Sequence, residues 1–169
     1  SDPGPEYEVQ EVPCGKCVSC KLDYSREWAT RVSHEMQVRN IGCFLTLTIS
    51  DAHMVKESFV YDGETYPPHS VYKRSVQLFL KRLRKKIGNE RFRYFACGEY
   101  GEVCLHCGKH KTKCLGRDHQ YNPSLGRPHY HLIIFGYDFP DRVVHSVKNG
   151  NILYTSRELS QVWTKGDRK

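Results

Sequence analysis

Pro128-His129-Tyr130-His131-Leu132-Ile133-Ile134-Phe135-Gly136 is the stretch that decides the fold. Its apolar run is β-branched and aromatic and closes on glycine, which reads as a buried strand over 129–136. Side chains on a strand alternate between faces, so His129 and His131 project to the same side. Two imidazoles side by side on one sheet face can chelate one divalent metal. The competing reading is a pair of histidines packed at a strand end. That reading suits a lone histidine better than a His-x-His pair set between proline and a buried run.

The neighbouring segments extend this picture. Residues 91–97, Arg-Phe-Arg-Tyr-Phe-Ala-Cys, read as a second strand closed by Gly98-Glu99-Tyr100-Gly101-Glu102. If the two strands pair antiparallel, Glu99 falls at the same sheet end as His129 and His131. A carboxylate beside two imidazoles makes a three-ligand site with open positions. Such a site takes Mg²⁺ or Mn²⁺ when it works on phosphate, because phosphate oxygens and water fill the open positions. Glu102 is the nearby competitor for the third position.

Residues 43–49 read as a third strand, with Phe44, Thr46 and Thr48 on one face and Leu45, Leu47 and Ile49 on the other. A helix is predicted over 19–39, with Leu22, Ala29, Val32 and Met36 near one face and a stop at Asn40-Ile41-Gly42. A second is predicted over 71–87, with Val76, Phe79, Leu80, Leu83 and Ile87 as its stripe and Gly88 as its end. Lys81, Arg82, Arg84 and Lys85 on this helix are candidates for phosphate contact, although a solvated helix face carries such charges anyway. Residues 50–70 read as loop, with Asp62-Gly63 and Pro67-Pro68 as turns. Short strands over 143–147 and 152–154 flank Asn149-Gly150-Asn151, and Ser156 is the candidate N-cap of a last helix to Trp163. The expected class is α+β: a central antiparallel sheet with flanking helices and a Cys/His-rich insertion over 103–127.

Length and composition bound the answer. The chain has 169 residues, 38% of them hydrophobic, and suggests one domain over 12–169 after a tag remnant or disordered tail over 1–11. No apolar stretch approaches the ~18 residues of a membrane span, so no membrane partner is expected. The net charge of +7 favours a polyanionic partner, nucleic acid first. The 8 cysteines are clustered. Cys14-x-x-Cys17-x-x-Cys20 and Cys104-x-x-Cys107 have metal-ligand spacing, which points to a reducing compartment and thiolate ligands. Cys104, Cys107, His110, Cys114 and His119 form a ligand-rich set from which Zn²⁺ could draw four donors, and Cys14, Cys17 and Cys20 offer three more. The two clusters could also share one zinc. A structural zinc would pin a loop too polar to pack on its own.

The ordered set of motifs carries a resemblance. Pro128-His129-Tyr130-His131 before an apolar strand resembles the HUH motif of rolling-circle replication initiators, and Phe44-Leu45-Thr46-Leu47-Thr48 resembles their first motif. Pro13-Cys14-Gly15-Lys16-Cys17, Trp28 with Arg31, Phe79-Leu80-Lys81-Arg82-Leu83-Arg84, Gly98-Glu99-Tyr100-Gly101 and Gly126-Arg127-Pro128-His129-Tyr130-His131 follow in one order. Together they resemble the replication initiation proteins of microviruses of the gokushovirus type, over roughly residues 12–163.

The resemblance implies an HUH/RRM-like palm and a site-specific single-stranded DNA endonuclease and strand transferase. Its metal ligands would be His129, His131 and Glu99, holding Mn²⁺ or Mg²⁺. A tyrosine hydroxyl would attack the scissile phosphate and keep the 5′ end as a phosphotyrosine. Partners would be single-stranded DNA at a replication origin and host replication proteins, in the cytoplasm of a host bacterium. Arg127 and the basic helix would hold phosphates, and the strand Phe44–Thr48 would line the site, with Thr46 and Thr48 toward the DNA. Two departures stand out. After His131 the chain offers only Tyr137 and Tyr154, neither in the family's Tyr-rich helical motif. The nucleophile is therefore expected beyond residue 169, with Tyr154 as the alternative. The insertion over 103–127 is also longer than the resemblance suggests. A non-catalytic zinc-containing nucleic-acid-binding module is the second reading. A cupin-like hydrolase is set aside, because the next acid is Asp138 and the only later histidine is His145.

Overall fold

A computed structural model describes residues 12–88, 91–110, 112–114 and 126–165. The chain divides into two compact units, residues 1–38 and 39–169. The first contains the Cys14–Cys20 turn and most of helix α1, Val18–Arg39. Along α1 the rings of Tyr24 and Trp28 meet edge to face, and the Arg31 guanidinium lies 5.1 Å from the Trp28 ring. Leu22, Ala29, Val32 and Met36 do not form a buried stripe, since no residue of α1 is buried.

The second unit is built on three antiparallel strands. In chain order it holds β1 (Gly42–Thr48), β2 (Phe59–Tyr61), β3 (Glu64–Tyr66), α2 (Lys73–Ile87), β4 (Arg93–Tyr100), β5 (Pro128–Phe135), β6 (Val143–Lys148), β7 (Asn151–Thr155) and α3 (Arg157–Val162). The central strand is β5, with β1 and β4 on either side. The α+β class with an antiparallel sheet and helices is as the sequence predicts. The 129–136 strand starts one residue early, at Pro128, and alternates buried and half-buried positions along its first six residues.

That alternation sorts the sheet into two faces. Leu45 and Leu47 of β1 and Tyr130, Leu132 and Ile134 of β5 are buried in one core with Val76, Phe79, Leu80 and Leu83 of α2. The predicted stripe of α2 is thus the face that covers the sheet, and Gly88 ends the helix at φ +68° with its amide bonded to the Arg84 carbonyl. Trp163, just past α3, packs edge-on against Phe79 and Tyr130 and donates its indole N–H to the Thr48 carbonyl at 2.7 Å. Arg82 reaches across from α2 to the Val162 carbonyl at 2.7 Å.

Two predicted boundaries shift. Glu99 belongs to β4 itself rather than to a closing turn, because the ladder continues to Tyr100↔Pro128. Residues 50–70 are not all loop. A one-turn 3-10 helix spans Asp51–His53, and β2 and β3 form a hairpin around Asp62 and Gly63, both at positive φ. The flagged Asp-Gly pair is the two-residue hairpin turn that such dihedrals favour. The strands it joins are three residues each, too short to show alternation in sequence. The 143–155 hairpin is as predicted, turning at Asn149-Gly150.

Candidate functional site

The sheet face turned away from α2 brings the predicted ligands together. In the ladders Thr46 and Cys97 flank His131, while Thr48 and Glu99 flank His129. Directly opposed residues share a face, so Glu99 stands beside both imidazoles as the antiparallel pairing requires. Its Oε2 lies 3.1 Å from His131 Nε2 and 3.7 Å from His129 Nε2. Donor atoms of all three residues fall within 4.8 Å of one another.

The other ring nitrogens are already engaged. His129 Nδ1 is 3.2 Å from the Arg127 carbonyl, and His131 Nδ1 is 3.2 Å from Thr46 Oγ1. A carbonyl can only accept, so the bond at His129 uses an Nδ1 proton and leaves Nε2 as the nitrogen available to a metal. Bonds of this kind fix ring orientation and raise ligand basicity at metal sites. The two rings stand nearly perpendicular, centroids 4.9 Å apart. Two imidazole nitrogens and one carboxylate oxygen suit a divalent cation with open positions, so the residues present fit a metal.

The strand expected to line the site, Phe44–Thr48, places its first residue against a histidine. Phe44, 64% exposed, stacks on His131 at 5.4 Å and 20° between planes. Glu102 is not in the cluster; its carboxylate faces His110 Nε2 at 3.4 Å.

The predicted phosphate-binding residues distribute differently. Arg127 donates to the Ile49 carbonyl at 2.7 Å and pairs with Asp51. Arg82 is tied to Val162, with burial lowering its pKa. Arg84 lies over the rings of Phe92 and Tyr94, at 5.0 and 5.8 Å. Lys81 and Lys85 are exposed. All four α2 cations ride on a helix that covers the opposite sheet face, so the fold does not gather them around the histidines.

The two tyrosines after His131 separate cleanly. Tyr137 is buried, and its hydroxyl donates to Glu158 at 2.7 Å. Tyr154 is half exposed and lines a cleft of about 610 Å³ alongside β1, with Thr46, Thr48, His145, Arg157 and Trp163. The Arg142 guanidinium sits 5.2 Å from its ring.

Both cysteine clusters converge. Cys14, Cys17 and Cys20 form one triad and Cys104, Cys107 and Cys114 another, each with sulfurs within 4.8 Å. The amide of Cys17, then that of Lys16, lowers the Cys14 thiol to about 7. Burial pushes the Cys104 thiol up, but the amides of Cys107 and His106 and the neighbouring thiols outweigh it and lower it overall. His110 does not join its triad; its nitrogens meet Thr112 at 2.8 Å and Glu102. His119 lies outside the described residues.

Comparison with known proteins adds relatives. The chain is similar to the replication-associated protein VP4 of Bdellovibrio phage phiMH2K, 32% identical over 163 residues, which are 92% of this chain and 41% of that protein. It is 33% identical over 172 residues to the replication-associated protein ORF2 of Spiroplasma virus 4, covering 98% of this chain and 45% of that one. Replication-associated protein ORF4 of Chlamydia phage 1 is 22% identical over 163 residues, 92% of this chain and 33% of that protein. The chain spans less than half the length of these curated relatives. No family model matches the chain, and no solved structure matches it.

Proposed function

We propose that this chain, a homologue of phage replication-associated proteins over most of its length, carries the metal-binding part of an HUH-type endonuclease that starts rolling-circle replication on single-stranded DNA. The observation that carries the reading is the convergence of Glu99, His129 and His131, with both Nδ1 atoms engaged and both Nε2 atoms facing the carboxylate.

In this reading His129, His131 and Glu99 hold Mn²⁺ or Mg²⁺. Held by these three residues, such an ion would supply Lewis-acid polarisation of the scissile phosphate and offset the charge that builds there. Thr46 and the Arg127 carbonyl keep the imidazoles aimed. The cleft along β1 offers Thr46, Thr48, His145, Tyr154 and Arg157 to the nucleotides on either side of the scissile bond. A tyrosine hydroxyl gives up its proton to solvent as its oxygen bonds to phosphorus, the bond from phosphorus to the 3′ oxygen breaks, and that oxygen takes up a proton to leave as the 3′ hydroxyl. The phosphotyrosine conserves the phosphodiester energy, so the strand can be rejoined. Tyrosine is a weak nucleophile at its usual pKa of about 10, which is why charge stabilisation at phosphate matters. Tyr154, half exposed in the cleft along β1, is the candidate nucleophile among the described residues. Origin DNA, host replication proteins and a bacterial cytoplasm belong to the same reading.

The test is a gel assay with Mn²⁺ and single-stranded oligonucleotides tiling a microvirus origin. A covalent protein–DNA band that Tyr154→Phe removes assigns Tyr154; metal-stimulated binding without such a band assigns a downstream tyrosine. Replacing His129 and His131 by Ala is expected to abolish Mn²⁺ binding in calorimetry while leaving the circular dichroism melt unchanged. Unchanged Mn²⁺ affinity in that variant would sink the site.

A second reading, a non-catalytic nucleic-acid-binding module, draws on the cysteine triads. It predicts DNA binding that is lost with zinc and indifferent to Mn²⁺.

A further inference from the structure

We propose that each cysteine triad is a separate structural zinc site, so that the chain holds two zinc ions apart from the histidine–carboxylate centre. The inference is independent of the DNA-cleavage reading.

Sulfur spacing carries it. A zinc–thiolate bond of about 2.3 Å makes the edge of a tetrahedral site about 3.8 Å. Cys14 Sγ and Cys20 Sγ stand 3.9 Å apart, and Cys107 Sγ and Cys114 Sγ 3.7 Å. Within each triad no ligand atoms are more than 4.8 Å apart. Each triad therefore has the size of one ion's coordination sphere. The run Cys14-x-x-Cys17-x-x-Cys20 by itself also fits a four-iron cluster. In such a cluster each thiolate binds a different iron and the sulfurs spread wider than they do here. Disulfide pairing suits neither triad, since sulfurs 3.9 and 3.7 Å apart are well beyond bonding distance and a bridge would strand the third thiol of each set.

Backbone geometry supports the same ligands. The Cys17 amide points at Cys14 Sγ at 3.4 Å, and the Cys20 amide at Cys17 Sγ at 3.5 Å. Amides aimed at sulfur stabilise thiolate, the form that binds metal. In the second triad Cys104-Leu105-His106-Cys107-Gly108 forms a tight turn. The Gly108 amide bonds the Cys104 carbonyl, the Cys104 amide bonds the Lys109 carbonyl, and Val103 bridges His110. Gly108 sits at φ +69°, where a side chain would be strained. This turn brings Cys104 and Cys107 together, and the next turn, with the Cys114 amide on the His110 carbonyl, adds Cys114.

Packing explains why metal is needed. Among the described residues of 103–114, Cys104 alone is buried, and it is not part of the main hydrophobic core. A segment that buries so little apolar surface gains its order from a metal bond instead. Each triad supplies three thiolates, and one further donor completes each tetrahedron.

The test is metal analysis of the full chain purified under reducing conditions without chelator. About two zinc per chain are expected in the parent. Cys14→Ser with Cys17→Ser should leave one, Cys104→Ser with Cys107→Ser should leave one, and His129→Ala with His131→Ala should leave two. Loss of both ions in either serine variant would mean a shared site and overturn the proposal, as would iron in place of zinc. Because a serine variant can misfold, Co²⁺ exchange into the parent chain provides a second readout. Two equivalents giving thiolate-to-cobalt charge transfer and intense tetrahedral visible bands are expected; weakly absorbing, pale pink octahedral binding without charge transfer would refute thiolate coordination.

Discussion

At the scale of single residues, Thr46 has the most to reveal. It touches the candidate centre only through His131, accepting or donating at Nδ1 over 3.2 Å. A second-layer partner of this kind typically contributes 10–100-fold in metal affinity. Thr46→Val keeps the shape and removes the hydroxyl. It is expected to weaken Mn²⁺ binding by about 10-fold, with Thr46→Ser restoring most of it, as read by calorimetric titration. An unchanged affinity in the valine variant would mean that His131 needs no such support. The histidine pair was legible in sequence because a two-residue strand period forces 129 and 131 onto one face. Glu99 was legible only through an assumed strand pairing, which the register Glu99↔His129 then supplies. Phe44 was legible as part of a strand lining the site, whereas its stacking on His131 depends on the offset between β1 and β5. Arg127 reads as a phosphate ligand from the resemblance, and only the folded chain reveals Ile49 and Asp51 as its partners.

At the scale of elements, α3 shows a cap built from two residues far apart in sequence. Ser156 accepts from the Leu159 amide, as its N-cap placement predicts. The Ser156 hydroxyl also donates to Asp141, whose other oxygen accepts the Glu158 amide at 2.8 Å. The Ser156 hydroxyl is the main cause holding the Asp141 carboxyl below its usual range; desolvation opposes it and the amides of the helix start add to it. A carboxyl lowered on folding stabilises above its unfolded pKa, and that contribution disappears as pH falls through the folded value. The start of α3 is therefore expected to loosen in acid, below the ordinary carboxylate range. Faster hydrogen exchange at the Glu158 and Leu159 amides would report it, and Asp141→Asn should remove that pH dependence. An acid response retained in the asparagine variant would assign it to another group. The long periodic helices and the Asn-Gly hairpin were readable from sequence. The β2–β3 hairpin escaped because three-residue strands carry no usable period, although its turn residues were in view.

At the scale of the whole second unit, charge and chemistry lie on different sides. The exposed Lys81 and Lys85 sit on α2, across the sheet from the histidines. No sequence pattern could have shown this, since it depends on which sheet face the helix covers. Cations so placed can raise the encounter rate with DNA through their field without touching the bound strand. Lys81→Ala with Lys85→Ala is expected to slow association at low salt, leaving Mn²⁺ affinity and the salt slope of equilibrium binding unchanged. A slope reduced by about 0.7 for each lysine removed would instead reveal direct phosphate contacts. Stopped-flow fluorescence and equilibrium titrations across ionic strengths separate the two.

The alternation along β5 also bears on how such a chain can change over generations. Odd positions, 129 and 131, face the candidate centre, while even positions, 130, 132 and 134, are buried in the core. Drift at one parity is invisible to selection acting on the other. A library varied at the even positions and sorted for heat resistance would recover folded proteins with an untouched centre. Varied at the odd positions, it would recover equally robust proteins that have lost it. A single inserted residue has no such privacy, because it exchanges the parities and costs both properties in one step.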